Sequence, residues 1–337
     1  MNKLNSFLEI THVPVMLEEV LELCSPLENK SFLDCTFGGG GYSSKLLSFD
    51  NTKVTALDRD SYVLRFSDKL KKKYPKRFKF YNERFSSLNK VVENQNFDAV
   101  IFDLGLSSFQ IKDLSRGFSF QSDEKLDMCM GLSNISVEEV INNFEEKDLN
   151  NIIKTFGEES EAKYIARNII KKRKENKITT TKELVEIIKK SKKRDLAKKI
   201  NICTKTFQAL RIFVNQEVSE LIKGITEATK ALKPGGTLII ISFHSIEDKI
   251  VKFYFKNYSS NKSKGSRYLP EANKEDLSLF ENYRNKIITA SAKEIKINLP
   301  SRSAKLRFAT RNNKHIQNFI ELNQKFENYL RTESLNV

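Results

Sequence analysis

The sequence predicts an α/β fold in which a mostly parallel sheet is interrupted by an inserted, all-helical domain. Short runs rich in β-branched and aromatic residues alternate with helix-length segments, as they do in βαβ units. Several of these runs are apolar throughout, which is typical of strands that are covered on both faces. A long segment with helical periodicity separates the fourth run from the fifth.

Five runs are predicted as buried strands, and two more segments as closing strands near the C-terminus. The five runs are SFLD (31–34), KVTALD (53–58), FKFY (78–81), FDAVIFD (97–103) and TLIIISF (237–243). The closing strands are KIIT (286–289) and LRFAT (306–310). A polar segment rich in Ser, Asn and Lys, near residues 256–285, is interpreted as a mobile loop.

The segment between the fourth and fifth runs is far longer than a βαβ crossover needs, which predicts an inserted domain. Its helices are indicated by capping boxes at SVEE (136–139) and TTKE (180–183) and by an apolar stripe that begins at Ala162. A long helix over about 206–232, ended by KPGG, leads back to the sheet. The predicted division is 1–112 and 206–337 for the sheet domain, and 113–205 for the helical insertion.

The chain is basic, with 58 Lys and Arg against 43 Asp and Glu and a formal charge of +15 among 337 residues. Such a balance favours an anionic partner, with nucleic acid as the first candidate. A lysine-rich surface from a biased composition is the alternative. Residues 163–199 hold fifteen Lys and Arg against four Asp and Glu, a net of +11, which favours a face that contacts a polyanion.

Four consecutive glycines, Gly38 to Gly41, lie between the first strand and a helix, and glycines there let a ligand approach the backbone closely. The loop lacks the Lys of a P-loop and the third glycine of a dinucleotide site, so a triphosphate is disfavoured and NAD remains a weak alternative. Asp58 ends the second strand and suits a carboxylate that grips ribose hydroxyls, in NAD or in S-adenosylmethionine. LKPGGTLIIISF and IFDLGLSS resemble segments of class I methyltransferases, which favours S-adenosylmethionine.

An ordered set of motifs extends this resemblance to one family. HVPVMLEEV, DCTFGGGGYS, ALDRD, FDLGLSSFQ, RGFSF, LDMCM, KTFQALRIFVNQE, LKPGGTLIIISFHSIEDKIVK and SRSAKLR occur in order across residues 12–307. Together they resemble the bacterial 16S ribosomal RNA cytosine-N4 methyltransferase family (the MraW/RsmH type). The resemblance implies a class I Rossmann-like methyltransferase domain with a helical insertion. It also implies methyl transfer from S-adenosylmethionine to a cytidine of the decoding region.

The resemblance also implies site residues, by position in the motifs. The implied cofactor contacts are Gly40, Gly41, Tyr42, Asp58, Phe85, Asp103 and Gln110. An ordinary core position is the alternative for Phe85. Two departures from the family pattern are Tyr42, where a histidine is usual, and Phe109, where a proline is usual.

The cytosine amine is a poor nucleophile, because its lone pair is delocalised, so acceptors are needed beside the reacting methyl group. Asp103, at the carboxyl end of the fourth strand, is the candidate catalytic acceptor, and His244 is the second candidate, with a structural role as its alternative. Phe118 or Phe120 of RGFSF is a candidate for stacking on the base. The candidate RNA contacts are Lys171, Lys172, Arg173, Lys174 and Arg302, with a plain surface role as the alternative for Arg302; lesser candidates are His12, Asp127, Lys305 and Arg307.

Other features narrow the function class. The four cysteines form no Cys-x-x-Cys pair and there are three histidines, so no metal site is predicted. The N-terminal segment shows no leader pattern and no run reaches the length of a membrane span, which predicts a cytoplasmic protein. The predicted partner is 16S rRNA within the small subunit, and monomer and homodimer both stay open. The alternatives are a methyltransferase of the same fold acting on DNA or another RNA, a non-catalytic RNA-binding assembly factor, and an NAD-dependent oxidoreductase.

Overall fold

The computed structural model describes residues 14–92, 96–192, 201–259, 278–314, 316 and 318–336. The strands are β1 Ser31–Asp34, β2 Lys53–Leu57, β3 Phe78–Tyr81, β4 Phe97–Asp103, β5 Leu232–Ser242, β6 Phe280–Glu281 and β7 Lys305–Arg311. The α-helices are α1 Leu17–Cys24, α2 Gly41–Leu46, α3 Leu64–Lys73, α4 Leu88–Val91, α5 Ser108–Lys112, α6 Val137–Asn143, α7 Glu146–Gly157, α8 Ala162–Glu175, α9 Thr181–Ser191, α10 Thr204–Asn215, α11 Glu217–Ala231, α12 Ser245–Asn257, α13 Ala292–Ile297, α14 Ile320–Lys325 and α15 Glu327–Glu333. Short 3₁₀ turns lie at Ser61–Val63, Phe85–Ser87, Leu114–Arg116, Leu299–Ser303 and Ser334–Asn336.

The chain divides into two compact units. Unit 1 comprises Met1–Gly105 and Leu221–Leu322, and unit 2 comprises Leu106–Glu220 and Asn323–Val337. These units differ from the predicted division in three places: unit 2 begins earlier, at Leu106, ends later, at Glu220, and includes the C-terminal segment. Helices α10 and α15 both pack against α7 of unit 2. Within the described ranges, no helix is long and apolar enough to cross a bilayer.

Unit 1 is built on a seven-stranded sheet in the order β3-β2-β1-β4-β5-β7-β6. The pairs among β1 to β5 are parallel, whereas β7 runs antiparallel to both β5 and β6. The central strands are apolar because both faces are covered, and Ala99 to Phe102 of β4 are at most 1% exposed. The class I Rossmann-like fold predicted from the sequence is confirmed.

Three of the five predicted buried strands have the predicted bounds, and β2 ends one residue early. Strand β5 begins earlier than predicted, at Leu232, because KPGG forms an irregular segment in its pairing with β4 rather than a terminator outside the sheet. The predicted strand at 286–289 is wrong, since Ile288 makes only a single bridge to Leu306. The short edge strand Phe280–Glu281, inside the segment interpreted as mobile, was not predicted; residues 260–277 of that segment lie outside the described ranges.

Unit 2 is helical, and its helices begin where the capping boxes predict. Ser136 and Thr180 each accept a hydrogen bond from the backbone of the glutamate three residues later, and each glutamate bonds back to the cap. The predicted single helix over 206–232 is wrong. It is two helices, because Gln216 adopts a left-handed conformation, with φ of 53°, between α10 and α11.

A fully buried asparagine organises the loop of unit 2 that contains LDMCM. The Asn215 amide oxygen accepts from the Met130 N–H at 2.8 Å and from the Ser133 hydroxyl at 2.9 Å. Its amide nitrogen donates to the carbonyls of Met128, at 2.8 Å, and Arg211, at 2.9 Å. All of the hydrogen-bonding capacity of this side chain is therefore used to tie the loop to α10.

Candidate functional site

Three carboxyl groups lie at the carboxyl edge of the unit 1 sheet. Asp34 is the last residue of β1, Asp103 is the last residue of β4, and Asp58 directly follows β2. These strands are neighbours in the order β2-β1-β4, and the direction of strand order reverses between β1 and β4. Ligands of open α/β sheets bind in the crevice at such a reversal, so this edge is the candidate site.

Asp58 holds the glycine loop in place. One carboxylate oxygen accepts from the Gly38 N–H at 2.8 Å, and the other accepts from the Asp60 N–H at 2.9 Å. Gly38 needs its positive φ of 52° for this contact, and a Cβ there would meet only the Thr36 carbonyl oxygen, at 3.9 Å. Burial raises the pKa of Asp58 to about 6, although these two hydrogen bonds oppose the rise.

Packing within the protein requires glycine at positions 40 and 41, in addition to the predicted close approach of a ligand to the backbone. A Cβ on Gly40 would lie 2.7 Å from the ring of Phe37, and a Cβ on Gly41 would overlap with Cγ of Pro14. Gly40 also adopts a left-handed conformation, with φ of 75°, at the start of α2. The sequence predicted close approach to a ligand, and the structure adds close approach to the protein's own side chains.

Asp34 is a part of the site that the predicted contacts omit. Its side chain is 0% exposed, and it accepts from the Ser43 hydroxyl at 2.7 Å and from the Thr36 N–H at 3.3 Å. Burial raises its pKa to about 6, against these hydrogen bonds. Its position in the sequence could have identified it, because it is an acidic residue at the end of a predicted buried strand and just before the glycine loop.

Asp103 is the third carboxyl group at this edge of the sheet. We call Asp34, Asp58 and Asp103 together the acidic edge. Its backbone N–H donates to the Thr36 hydroxyl at 2.7 Å, which fixes the strand end. Its Oδ1 atom is shielded from solvent and accepts no hydrogen bond within the described part of the chain. Burial first, and then the charge of Asp34, raise the pKa of Asp103 well above its ordinary value.

Tyr42 is buried beside this edge rather than open to solvent. Its side chain is 4% exposed, and its hydroxyl donates to the Val15 carbonyl. The hydroxyl also interacts with Asp103 and partly offsets the rise in the pKa of that carboxyl. The residue that departs from the family pattern therefore anchors the segment before α1 to the acidic edge.

The residues at this edge fit a nucleoside-like ligand that carries positive charge. Three neighbouring carboxyls, of which Asp34 is buried and Asp58 and Asp103 are half-buried, favour a cation and disfavour a polyphosphate. The Oδ1 atom of Asp103 accepts no hydrogen bond from the described residues. The open side of Gly38 leaves room for a ligand against the main chain. Phe85 is half-buried and packs edge-on against Phe102, with ring centroids 5.4 Å apart, so its ring is held in one orientation.

His244 has a clear structural role. It caps α12: its Nδ1 lies 3.5 Å from the Glu247 backbone nitrogen, and its Nε2 lies 3.1 Å from a Glu247 carboxylate oxygen. The Glu247 carboxylate in turn accepts from the Phe243 N–H at 2.8 Å. The structural alternative for His244 is supported, and its catalytic role stays a prediction. His12 lies outside the described ranges.

The remaining predicted aromatic and amide residues lie in unit 2. Gln110 is 6% exposed and its amide oxygen accepts from the Ser107 N–H at 2.9 Å, which completes a capping box of α5. Phe120 packs edge-on against Phe207 of α10, with ring centroids 5.8 Å apart. Phe118 is half-buried, and the guanidinium of Arg116 lies 5.6 Å from its ring centroid. Their contacts to cofactor or base stay predictions.

The basic run on α8 divides into inward and outward side chains. The Arg173 guanidinium donates to the carbonyls of Ile141, at 2.7 Å, and Phe144, at 2.6 Å, at the end of α6. Lys172 lies 3.1 Å from Glu175, whereas Lys171 and Lys174 are exposed with no ion pair among the described residues. These contacts give Arg173 a structural role inside unit 2, and its role as an RNA contact stays a prediction.

A similar division applies to the basic residues of SRSAKLR. Arg307 is 5% exposed and donates to Asp248 at 2.8 Å, and Lys305 lies 3.3 Å from the same carboxylate. These two side chains tie β7 to α12, which favours a structural role for them, and their role as phosphate contacts stays a prediction. Arg302 is exposed in the 3₁₀ turn before β7, and it remains a candidate for RNA.

Comparison with known proteins places this geometry among methyltransferases. Residues 9–312 match the family model described as the MraW methylase family. Proteins named ribosomal RNA small subunit methyltransferase H are similar over most of their length. The one from Rickettsia massiliae is 42% identical over 89% of this chain and 97% of its own, and the one from Rickettsia bellii is 43% identical over 88% and 98%. Among solved structures, an rRNA methylase from Streptococcus thermophilus is 11% identical over 86% of this chain and 92% of its own, with a TM-score of 0.39.

The inward position of Arg173 makes a prediction about stability. Arg173→Gln removes two charge-assisted hydrogen bonds and leaves the end of α6 without a cation, so the free energy of unfolding should fall by about 1–3 kcal/mol. Lys171→Gln, on the outward side of the same helix, is the matched control and should change it by less than about 0.5 kcal/mol. Urea denaturation of both variants measures the difference, and equal stabilities would show that the Arg173 contacts carry no net stabilisation.

Proposed function

The chain belongs to the MraW methylase family, and from that membership we propose that it methylates N4 of a cytidine in the decoding region of 16S rRNA. It is an S-adenosylmethionine-dependent methyltransferase of small-subunit rRNA, as the family match and its close relatives indicate. The observation that carries the proposal is that match over residues 9–312, which spans both the acidic edge and the helical unit. The base, its atom and the decoding region are the proposed part.

The acidic edge suits the cofactor chemically. S-adenosylmethionine supplies an activated methyl group on a positively charged sulfonium, together with an amino group and a ribose. We assign the ribose hydroxyls to Asp58, close backbone approach to Gly40 and Gly41, and the adenine face to Phe85. Tyr42, Asp103 and Gln110 are the further proposed contacts, and Asp34 is added to them because its charge lies at the same edge.

Asp103 is the proposed hydrogen-bond acceptor for the reacting amine. The lone pair of the cytosine amine is delocalised into the ring, and an acceptor that holds an amine proton localises it. Asp103 Oδ1 is shielded from solvent and accepts no bond from the described residues, so it can take that role. The bound cofactor would supply the methyl group to the amine nitrogen, and its sulfur would keep the electron pair of the broken carbon–sulfur bond. One amine proton then leaves, to Asp103 or to water.

Orientation supplies a large part of the rate in such a reaction, because two reactants are held in line. The Thr36 hydroxyl, which accepts from the Asp103 backbone, keeps the acceptor at a fixed place on the sheet edge. His244 remains a second proposed residue for the cytidine or its phosphate. Phe118 and Phe120 are the proposed aromatic contacts for a base that has left its stack. Lys171, Lys172, Lys174 and Arg302 are the proposed phosphate contacts, and the proposed location is the cytoplasm.

The assignment of Asp58 predicts a loss of cofactor affinity. In Asp58→Asn the ribose hydroxyls lose a charged acceptor, worth roughly 1.5–3 kcal/mol, so the Kd for S-adenosylmethionine should rise roughly 10- to 150-fold. Isothermal titration calorimetry on the folded protein measures this. Asp50→Asn changes an exposed carboxylate elsewhere in unit 1 and serves as the control. An unchanged Kd in Asp58→Asn would show that the Asp58 carboxylate does not bind the ribose hydroxyls.

The function itself is tested by following a labelled methyl group. Small ribosomal particles that lack the modification are incubated with the protein and radiolabelled S-adenosylmethionine, beside naked 16S rRNA and DNA, and the label is mapped. We expect label on N4 of one cytidine of the decoding region. The Asp103→Asn variant should lose about 100-fold or more in kcat, with a much smaller change in cofactor affinity.

Each other outcome of this experiment points elsewhere. Label on DNA or on another RNA would favour a methyltransferase of the same fold with a different substrate. Cofactor binding without label in any nucleic acid would favour a non-catalytic assembly factor. Full methylation by Asp103→Asn would remove that residue from the mechanism and leave the substrate assignment intact.

A further inference from the structure

Helix α8 has two faces of opposite character. Its inward face is formed by Ala162, Ile165, Ala166 and Ile169, each at most 1% exposed, at the spacing of a helix that packs on its neighbours. Within unit 2 this face meets α7 and α9. The opposite face must therefore point away from the core of the unit.

The outward face carries one aromatic ring and three cations in a row. Tyr164, Arg167, Lys171 and Lys174 follow the spacing i, i+3, i+7 and i+10, and all four are exposed. At 1.5 Å per residue the row is about 15 Å long. We call these four residues the α8 stripe.

The charge of the α8 stripe is available to a partner. Lys171 and Lys174 have no ion pair within the described ranges, and the Arg167 guanidinium lies 3.9 Å from Glu146 with both side chains largely exposed. Exposed pairs of this kind contribute little and exchange readily. The neighbouring Lys172 and Arg173 are half-buried and lie off this row, and Arg173 donates to the end of α6, so neither belongs to the stripe.

Tyr164 is the feature that the charge alone does not explain. It is 60% exposed, the most exposed aromatic residue among the exposed large hydrophobic residues of the described chain. No aromatic partner is found for it among those residues. A single exposed ring is ordinary, but a ring at the head of a row of cations is the composition of a surface on which a base stacks while the phosphates are neutralised.

We propose that the α8 stripe binds a single-stranded stretch of the substrate RNA, with an unpaired base stacked on Tyr164 and phosphates at Arg167, Lys171 and Lys174. This proposal rests on the proposed function, because it takes RNA as the substrate. A double helix would meet the cations but offer no base face to the ring, because its bases are stacked inside. An acidic protein would meet the same cations without needing a flat ring.

The test measures binding of a fluorescent single-stranded RNA of about 16 nucleotides by anisotropy over a range of salt concentrations. Tyr164→Ala should weaken binding roughly 5- to 150-fold, the effect of losing one stacked base, and should leave the salt slope unchanged. Tyr164→Phe keeps the ring and should bind like the wild type. Arg167→Gln, Lys171→Gln and Lys174→Gln should each reduce the slope of log K against log salt by about 0.7.

Lys154→Gln is the matched control, because Lys154 is exposed on α7 of the same unit and lies outside the stripe. It should change neither affinity nor slope. The proposal is overturned if Tyr164→Ala binds like the wild type, or if Tyr164→Phe loses as much as Tyr164→Ala. Reduced slopes in the lysine variants with an unchanged Tyr164→Ala would mean a purely electrostatic surface, as for an acidic protein or a duplex, and would also overturn it.

Failure of this proposal is separable from failure of the proposed function. The same variants are assayed for methyl incorporation into small ribosomal particles. If the wild-type protein methylates the particles and Tyr164→Ala binds RNA normally, the proposal for the α8 stripe fails and the proposed function stands. If Tyr164→Ala weakens RNA binding but the wild-type protein labels no particle, the proposed function fails and the proposal for the α8 stripe stands.

Discussion

The buried negative charge at one edge of the sheet is the constraint on which the rest of unit 1 depends. Asp34, Asp58 and Asp103 lie at the ends of neighbouring strands, and burial raises the pKa of each. The charge of Asp34 raises the pKa of both other carboxyls further. Carboxyls that both lose solvent and repel one another stay partly protonated unless hydrogen-bond donors or a cation stabilise their charge. The local structure supplies the donors, and the proposed cofactor supplies the cation.

The surrounding residues are arranged around that constraint. The glycine loop turns so that the Gly38 N–H donates to Asp58, and α2 begins so that the Ser43 hydroxyl donates to Asp34. A loop that binds a phosphate would instead present cations and leave its N–H groups to the ligand. This difference supports the proposal that the glycine loop binds a sulfonium nucleoside rather than a nucleotide.

Local patterns in the sequence were enough to predict most of the strands and helices and two of the three carboxyl groups of the acidic edge, Asp58 and Asp103. Alternating apolar runs located β1 to β4 within one residue, and the capping boxes located the starts of α6 and α9, because these signals depend on neighbours in sequence. The break at Gln216 and the edge strand Phe280–Glu281 were missed, since a single left-handed residue and a two-residue pairing leave no periodic signal.

Tertiary partners could not be predicted from composition. Arg173 and Arg307 looked like phosphate contacts, yet each binds a group far away in sequence, a helix end in one case and Asp248 in the other. Asn215 looked like one polar residue of a motif, yet it holds a loop eighty residues and more before it. Charge runs report how many cations a segment has, and only the fold decides which of them face a partner.

Proton release on cofactor binding tests the central claim about the acidic edge most directly. At pH 6 the unliganded protein holds protons on part of Asp34 and Asp58, whose pKa values burial raises to about 6. Burial also raises the pKa of Asp103 well above its ordinary value. A bound cation lowers these values, so calorimetry in two buffers of different ionisation enthalpy should show net release on the order of one proton with S-adenosylmethionine. Release should be smaller with S-adenosylhomocysteine, whose sulfur is neutral, and affinity for S-adenosylmethionine should rise with pH through this window. Proton uptake, or equal exchange with both ligands, would contradict the account.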